Sequence, residues 1–210
     1  MEIKKIIIGL SVLFFGMTTS FAQSTKIDRS HLISASATFS PAFFLKGGVS
    51  SNYLHGFVEY YPQANVSLKG EAYLFLRPPA EKGHPLRQNT GIVFGGLYHL
   101  NKNGAFDPYV GFQPGVSFVT YYPDLNGQIQ YFGLVKNEIV PVVTVSIGAN
   151  YYVSRYFNFF ANVRYVNAKG SQTESYFTDL SEIRFSFGLG FNFAQNKGCN
   201  DCPSFDKKKK

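Results

Sequence analysis

The most constraining stretch of this sequence lies near its C-terminal end. From Glu182 to Phe193 large apolar residues (Ile183, Phe185, Phe187, Leu189, Phe191, Phe193) alternate with polar residues or glycine (Glu182, Arg184, Ser186, Gly188, Gly190, Asn192). A side-chain period of two belongs to an extended strand, whose successive residues point to opposite faces. A half-buried strand of a soluble domain keeps such a pattern for about 4–8 residues. A tilted strand that crosses a bilayer needs about 9–11. The run from Ile183 to Phe193 has the longer span, and its apolar face is large enough to meet lipid.

The N-terminal end reads as a targeting segment. Lys4 and Lys5 form a positive region, Ile6 to Phe15 is apolar, and Ser20-Phe21-Ala22 sets small residues where a signal peptidase reads them. Cleavage before Gln23 is expected, so residues 1–22 are a signal peptide. The apolar run is shorter than the ~20 residues of a helical span, and no cysteine here is placed to accept lipid. No later stretch reads as a transmembrane helix, because charged residues, Gly, Asn or Ser interrupt every apolar run. Abundant aromatics (Tyr 14, Phe 22) and glycine (Gly 20) without helical spans fit strands that are apolar outside and small or polar inside.

With period two as the template, residues 23–193 divide into eight strands: His31–Phe39, Tyr53–Tyr61, Val66–Leu76, Thr90–Leu100, Pro108–Thr120, Ile139–Val153, Phe157–Val166 and Leu180–Phe193. The connections Pro62–Asn65, Asn101–Gly104 and Ser154–Tyr156 are tight and carry turn residues. The connections Ser40–Asn52, Arg77–Asn89, Tyr121–Glu138 and Asn167–Asp179 are longer. The expected fold is therefore all-β: an eight-stranded antiparallel transmembrane up-and-down β-barrel, with short periplasmic turns, longer outer loops and both termini in the periplasm. Pro114 lacks a ladder donor, which predicts a bulge or register shift in the fifth strand.

The inward positions carry charge: Glu59, Lys69, Glu71, Arg164, Glu182 and Arg184, with His55 and His99. An eight-stranded barrel is just wide enough to be filled by side chains. A lone buried charge is costly, so these residues are expected to pair. Glu59 and Lys69 should meet across the first tight turn, and Arg164, Glu182 and Arg184 near the outer end of the last hairpin. Such a network replaces an apolar core; a proton or ion path is the sharper alternative.

The last strand also carries Ser186, Gly188 and the aromatics Phe191 and Phe193, a pattern similar to the one that the outer-membrane assembly machinery reads. Together with the eight-strand map, the chain resembles the small outer-membrane β-barrel family, OmpX-like proteins and the OmpA transmembrane domain. The resemblance implies a Gram-negative cell envelope, with outer-membrane lipid and the assembly machinery as partners. It does not choose a function, because members act as adhesins, membrane-stabilising proteins, conduits or lipid-A-modifying enzymes. This chain departs from them by continuing beyond Phe193.

The extension, residues 194–210, holds the two cysteines, Cys199 and Cys202, and ends in Lys207, Lys208, Lys209 and Lys210. No thioredoxin-like βαβ pattern or second ligand pair accompanies the cysteines, so a small disulfide is the preferred reading. Free thiols or bonds to a partner are the alternatives. The terminal lysines supply most of the net charge of +7, which argues against a folded nucleic-acid surface. They would suit an anionic periplasmic partner, such as peptidoglycan carboxylates or lipid headgroups.

Catalytic chemistry finds little purchase. His84, with Glu81 and Arg87, lies in the second outer loop, and neither His55 nor His99 has a serine two residues away on its own strand. No Gly-x-Ser-x-Gly elbow, metal cluster or phosphate loop is present. The expectation is a non-enzymatic outer-membrane barrel without cofactor or metal, in a structural, surface-interaction or tethering role. The runner-up is a narrow conduit or a lipid-A-modifying enzyme.

Overall fold

The computed structural model describes residues 28–46, 48–76, 86–102, 104–121, 124–125, 128–129, 136–170 and 179–194. Eight long strands form one closed antiparallel barrel: β1 (Leu32–Phe44), β2 (Ser50–Gln63), β3 (Val66–Leu76), β4 (Leu86–His99), β5 (Phe106–Tyr121), β8 (Lys136–Tyr152), β9 (Phe157–Ala168) and β10 (Glu182–Ala194). Each pairs with its neighbour in sequence, and β10 returns to β1. Two short strands, β6 (Asp124–Leu125) and β7 (Gln128–Ile129), form a small hairpin between β5 and β8. One end of the barrel carries the tight turns and both ends of the strand series. The other carries the longer connections.

The alternation fixes which side chains face out. On β9 every other residue is buried, from Asn158 to Ala168, and the residues between them are exposed. Outward positions hold Phe39, Leu54, Leu74, Phe94, Phe112, Ile147, Phe159 and Phe187, all about half exposed or more. A continuous apolar belt of this extent is not tolerated on a water-soluble monomer. It fits a barrel whose outer wall meets hydrocarbon while backbone groups are satisfied within the closed wall.

The strands run further toward the loop end than the alternation predicts. Instead of a loop from Ser40 to Asn52, β1 continues to Phe44 and β2 starts at Ser50. Likewise β4 starts at Leu86 and β8 at Lys136. The cause is packing. At Ala42, Phe44 and Leu86 the inward positions are apolar like the outer wall, while Ser51 and Asn89 face in and Arg87, Gln88 and Asn137 face out as polar residues, so period two fades although the backbone stays extended. Ala42, Phe44, Phe75, Leu86, Val119, Val140, Val142, Ala168 and Leu180 form a buried cluster that fills this end of the barrel. Strands β5 and β8, at 16 and 17 residues, outrun the ~9–11 residues of a tilted span.

Pro114 does not shift the register. Pairing of β5 with β8 is continuous through Pro114↔Val143, and pairing of β4 with β5 keeps one register on both sides of a gap at Phe94 and Gly95. The missing N–H interrupts the ladder without displacing it. Glycine permits the close approach there: a Cβ on Gly95 would lie 2.2 Å from the Phe112 carbonyl oxygen, and one on Gly115 2.2 Å from that of Ile92. The register shifts that do occur lie at Tyr60–Gln63 on β2 and at Leu86–Gln88 on β4.

At the closing seam, residue pairing between β1 and β10 stops after Ala35↔Phe191 and resumes at Ala42↔Arg184. Side chains bridge the interval. The hydroxyls of Ser36, Thr38 and Ser40 donate to the carbonyl oxygens of Leu189 (2.8 Å), Phe187 (2.5 Å) and Phe185 (2.7 Å). Pro41 has no N–H to give, and the Ser40 hydroxyl beside it serves the Phe185 carbonyl instead.

Candidate functional site

The barrel interior between the two ends is a charged network. Among the described residues, its buried cations Arg29, Lys69, Arg164 and Arg184 stand against Glu59, Glu71, Asp107 and Glu182, with His55 and His99 between them. This balance is what burial demands, since each charge needs an opposite partner and hydrogen bonds to remain in a low-dielectric interior.

At the turn end, Arg29 precedes β1 and turns into the barrel. Its guanidinium lies 3.3 Å from Asp107, donates to the carbonyls of Ala64 (3.3 Å) and Gly104 (3.4 Å), and sits over the Tyr152 ring. The other oxygen of Asp107 is 2.7 Å from Nδ1 of His99. On its far side, Nε2 of His99 meets Ser67 Oγ at 2.9 Å and Glu59 at 3.2 Å, and Ser67 Oγ donates to Glu59 at 2.6 Å. The hydroxyls of Tyr61 and Tyr152 bond to each other at 3.1 Å beside this group.

Further in, Glu59 and Lys69 are register partners on β2 and β3. Nζ of Lys69 is 3.9 Å from Glu59 and 3.4 Å from Glu71, and lies over the Phe57 ring. Glu71 is the hub. It forms a fork with Arg164, one arm of it 2.6 Å long, and accepts from Tyr73 (2.8 Å) and Gln113 (3.2 Å). It also meets His55 Nε2 at 2.9 Å. Toward the loop end, Arg184 holds Glu182 at 2.5 Å and lies between the rings of Tyr53 and Tyr73. Tyr53 donates to Glu182 (3.0 Å) and accepts from Asn89 (2.9 Å).

The last of these groups departs from the expected one. Arg164 does not join Glu182. It is the register partner of Arg184, and Glu182 lies opposite Val166. Two guanidinium groups side by side repel, so each turns to its own carboxylate: Arg184 to Glu182 on the same strand, Arg164 across the interior to Glu71 on β3. An alternation pattern specifies which face a residue occupies, but not a partner on the opposite wall.

Two participants escaped the sequence reading, Arg29 and Asp107. Both lie just outside the strands as read from the sequence, which begin at His31 and Pro108. The Ser67–His99–Asp107 chain escaped too, because its serine comes from the neighbouring strand. Hairpin pairing could have found it: the turn after His99 sets that residue opposite Tyr109, with Asp107 two residues away on the same face. The arrangement has the contacts of a nucleophile, base and orienting acid. Its setting differs from a hydrolytic site: Ser67 and Asp107 are fully buried, and Ser67 is also hydrogen-bonded to the Glu59 carboxylate. That anion opposes charge building on Oγ, so the chain suits the holding of a proton within a network.

The residues read as an assembly signal lie on β10 at the seam. Ser186 faces inward against Ser40 at 2.9 Å, and Gly188 lies close to Thr38 and Phe160. Phe191 and Phe193 point outward, Phe191 edge-on to Phe157. At the loop end, Asp179 accepts from the Ser181 backbone N–H at 3.1 Å, and its bonds to Ser181 hold its carboxyl below the usual aspartate range. The leader, Glu81 and His84, Cys199 and Cys202, and Lys207, Lys208, Lys209 and Lys210 lie outside the described residues.

No family model and no curated protein matches this sequence. Solved structures do resemble it. The outer membrane protein OprG from Pseudomonas aeruginosa aligns with a TM-score of 0.59 at 15% identity, over 80% of this chain and 98% of that one. The N-terminal β-barrel domain of OprF from the same organism gives 0.56 at 14%, over 78% and 98%. Ail, the attachment invasion locus protein of Yersinia pestis, gives 0.52 at 13%, over 78% and 99%. At such identities the likeness is one of fold: the chain is a small eight-stranded β-barrel of the outer-membrane type.

Proposed function

We propose that this protein is a closed, non-enzymatic outer-membrane barrel that serves as a scaffold, presenting its longer connections outside the cell and holding an envelope partner through its basic tail. The observation that carries this reading is the filled interior. Charge-balanced side chains occupy the middle of the barrel, apolar side chains fill the loop end, and Arg29 with Tyr61 and Tyr152 fills the turn end. A path for solute would need these groups to part, and their mutual bonds oppose it.

In this reading residues 1–22 are removed on export, both termini are periplasmic, and β10 with Phe191 and Phe193 is recognised by the assembly machinery. The tail through Lys207–Lys210 meets an anionic partner, and its hold should weaken with salt over the ~8–10 Å Debye range. Gel mobility of the outer-membrane fraction, boiled against unboiled, tests the barrel itself. Planar-bilayer recording tests closure, with no defined conductance expected. A defined conductance would replace this reading with a narrow conduit. Mass spectrometry of lipid A from a deletion strain should show an unchanged acyl pattern; a change restored by the wild-type gene would make the protein a barrel enzyme. Removal of residues 194–210 should leave the barrel folded but change what co-purifies with it.

A further inference from the structure

We infer that the turn end of the barrel is a built guanidinium-binding site, which the chain fills with its own Arg29 and which closes the interior at that end. The groups that surround the guanidinium, two carbonyl acceptors, an ion-paired carboxylate and a ring, come from elements other than the segment that carries Arg29. Ala64 belongs to the turn between β2 and β3, Gly104 to the connection between β4 and β5, Asp107 to β5, and the Tyr152 ring to β8. Carbonyl oxygens in two different connections, a carboxylate and an aromatic face surround one side chain that is fully buried.

This set of partners matches a planar fork of N–H donors and suits no other cationic side chain equally. A guanidinium can reach both connections and the carboxylate while its face lies on a ring. An ammonium is a compact point charge on a flexible stem, and cannot span acceptors on either side of the opening while stacking on tyrosine. Asp107 couples the site to the interior, because one of its oxygens is ion-paired with Arg29 and the other is hydrogen-bonded to His99.

The backbone around Arg29 is arranged to deliver it. His31 adopts φ 65°, the left-handed region that a residue with a Cβ seldom enters. This reversal lets Leu32 N–H bond back to the Arg29 carbonyl (2.9 Å) while His31 N–H reaches the Tyr61 carbonyl (2.7 Å). Arg29 lies outside every strand, so no ladder holds it; the site does.

The test is amide hydrogen exchange on the full chain in lipid nanodiscs, with wild type, Arg29→Ala and Arg29→Lys. In Arg29→Ala, exchange at His31, Leu32 and Gly104 should be at least about tenfold faster, the change expected on losing a charge-assisted contact. Exchange at the centre of β9 should not change. Millimolar ethylguanidinium should restore protection in Arg29→Ala, and n-propylammonium at equal concentration should not. Arg29→Lys should behave as Arg29→Ala does.

Unchanged exchange in Arg29→Ala would overturn the inference. So would protection by Arg29→Lys or n-propylammonium as good as wild type, which would reduce the site to a general need for positive charge. Faster exchange throughout the barrel without rescue would reduce Arg29 to general stabilisation. Should Arg29→Ala not give the fast-migrating unboiled band, refolding with ethylguanidinium must restore that band, and failure to do so counts against the site.

Discussion

The two halves of the barrel interior solve the same packing problem by opposite means. Toward the loop end, Phe44, Phe75, Leu86, Val119, Val140 and Leu180 close the space as the core of a soluble protein would. From the Glu182–Arg184 pair beneath that cluster to the turn end, the space is filled by carboxylates, guanidinium groups, an ammonium and two imidazoles that pair with one another. The apolar half gains from excluding water and tolerates approximate fit. The charged half gains little from burial and depends on each partner being present, since one missing group strands another. Loss of a contact should therefore be graded in the apolar half and abrupt in the charged one.

The sharpest break should come from Glu71→Ala, which takes the shared carboxylate from Arg164, Lys69 and His55 at once. A loss of about 3–5 kcal/mol is expected from breaking a buried pair, read from denaturant unfolding of the barrel in detergent. Replacing both partners, Glu71→Leu with Arg164→Met, should cost less than Glu71→Ala alone; a larger loss would show that the network contributes more than mutual neutralisation.

Phe75→Ala at the loop end comes next, with about 3 kcal/mol for the lost burial and the cavity left behind. The same unfolding measurement should show it unaffected by ionic strength. A third substitution probes the wall: Gly115→Ala would drive a methyl group against the Ile92 carbonyl, costing about 1–3 kcal/mol as other overpacked sites do.

The smallest effect belongs to Asp179, at the surface of the loop end. Its folded pKa is depressed by bonds to Ser181. The contribution is therefore present above the unfolded pKa and fades as pH falls through the lower folded value. Because the group is partly exposed, solvent screens most of it. Unfolding midpoints of Asp179→Asn and wild type should converge in acid and differ slightly at neutral pH. A difference that grows in acid would reverse the sign.

Strand number, topology and most inward residues were legible because outer wall and lumen impose opposite polarity. Glu182 to Phe193 shows this at its plainest, and β9 repeats it. Legibility failed where that contrast disappears. Pro41-Ala42-Phe43-Phe44 is apolar on both faces, so the pattern cannot say that the wall of β1 continues past Phe39. It failed also wherever a partner sits across the lumen. That Arg164 belongs with Glu71 depends on barrel curvature and on the repulsion of Arg184, neither of which is written in any single strand. Arg29 was hidden for a third reason: it acts from outside the ladder, through a backbone reversal at a histidine.

The seam between β1 and β10 has a consequence of its own. Elsewhere the hoop of the cylinder is tied largely by peptide groups, which every residue but proline supplies, so substitution changes the surface and leaves the ties in place. From Ser36 to Ser40 three hydroxyl groups tie β1 to the carbonyls of β10 where residue pairing lapses. A single-letter change such as serine to alanine cuts a knot there that it could not cut on a fully laddered strand. The circumference of this barrel is thus stitched at one joint in a thread that mutation can reach, and its resistance to splitting is heritable residue by residue.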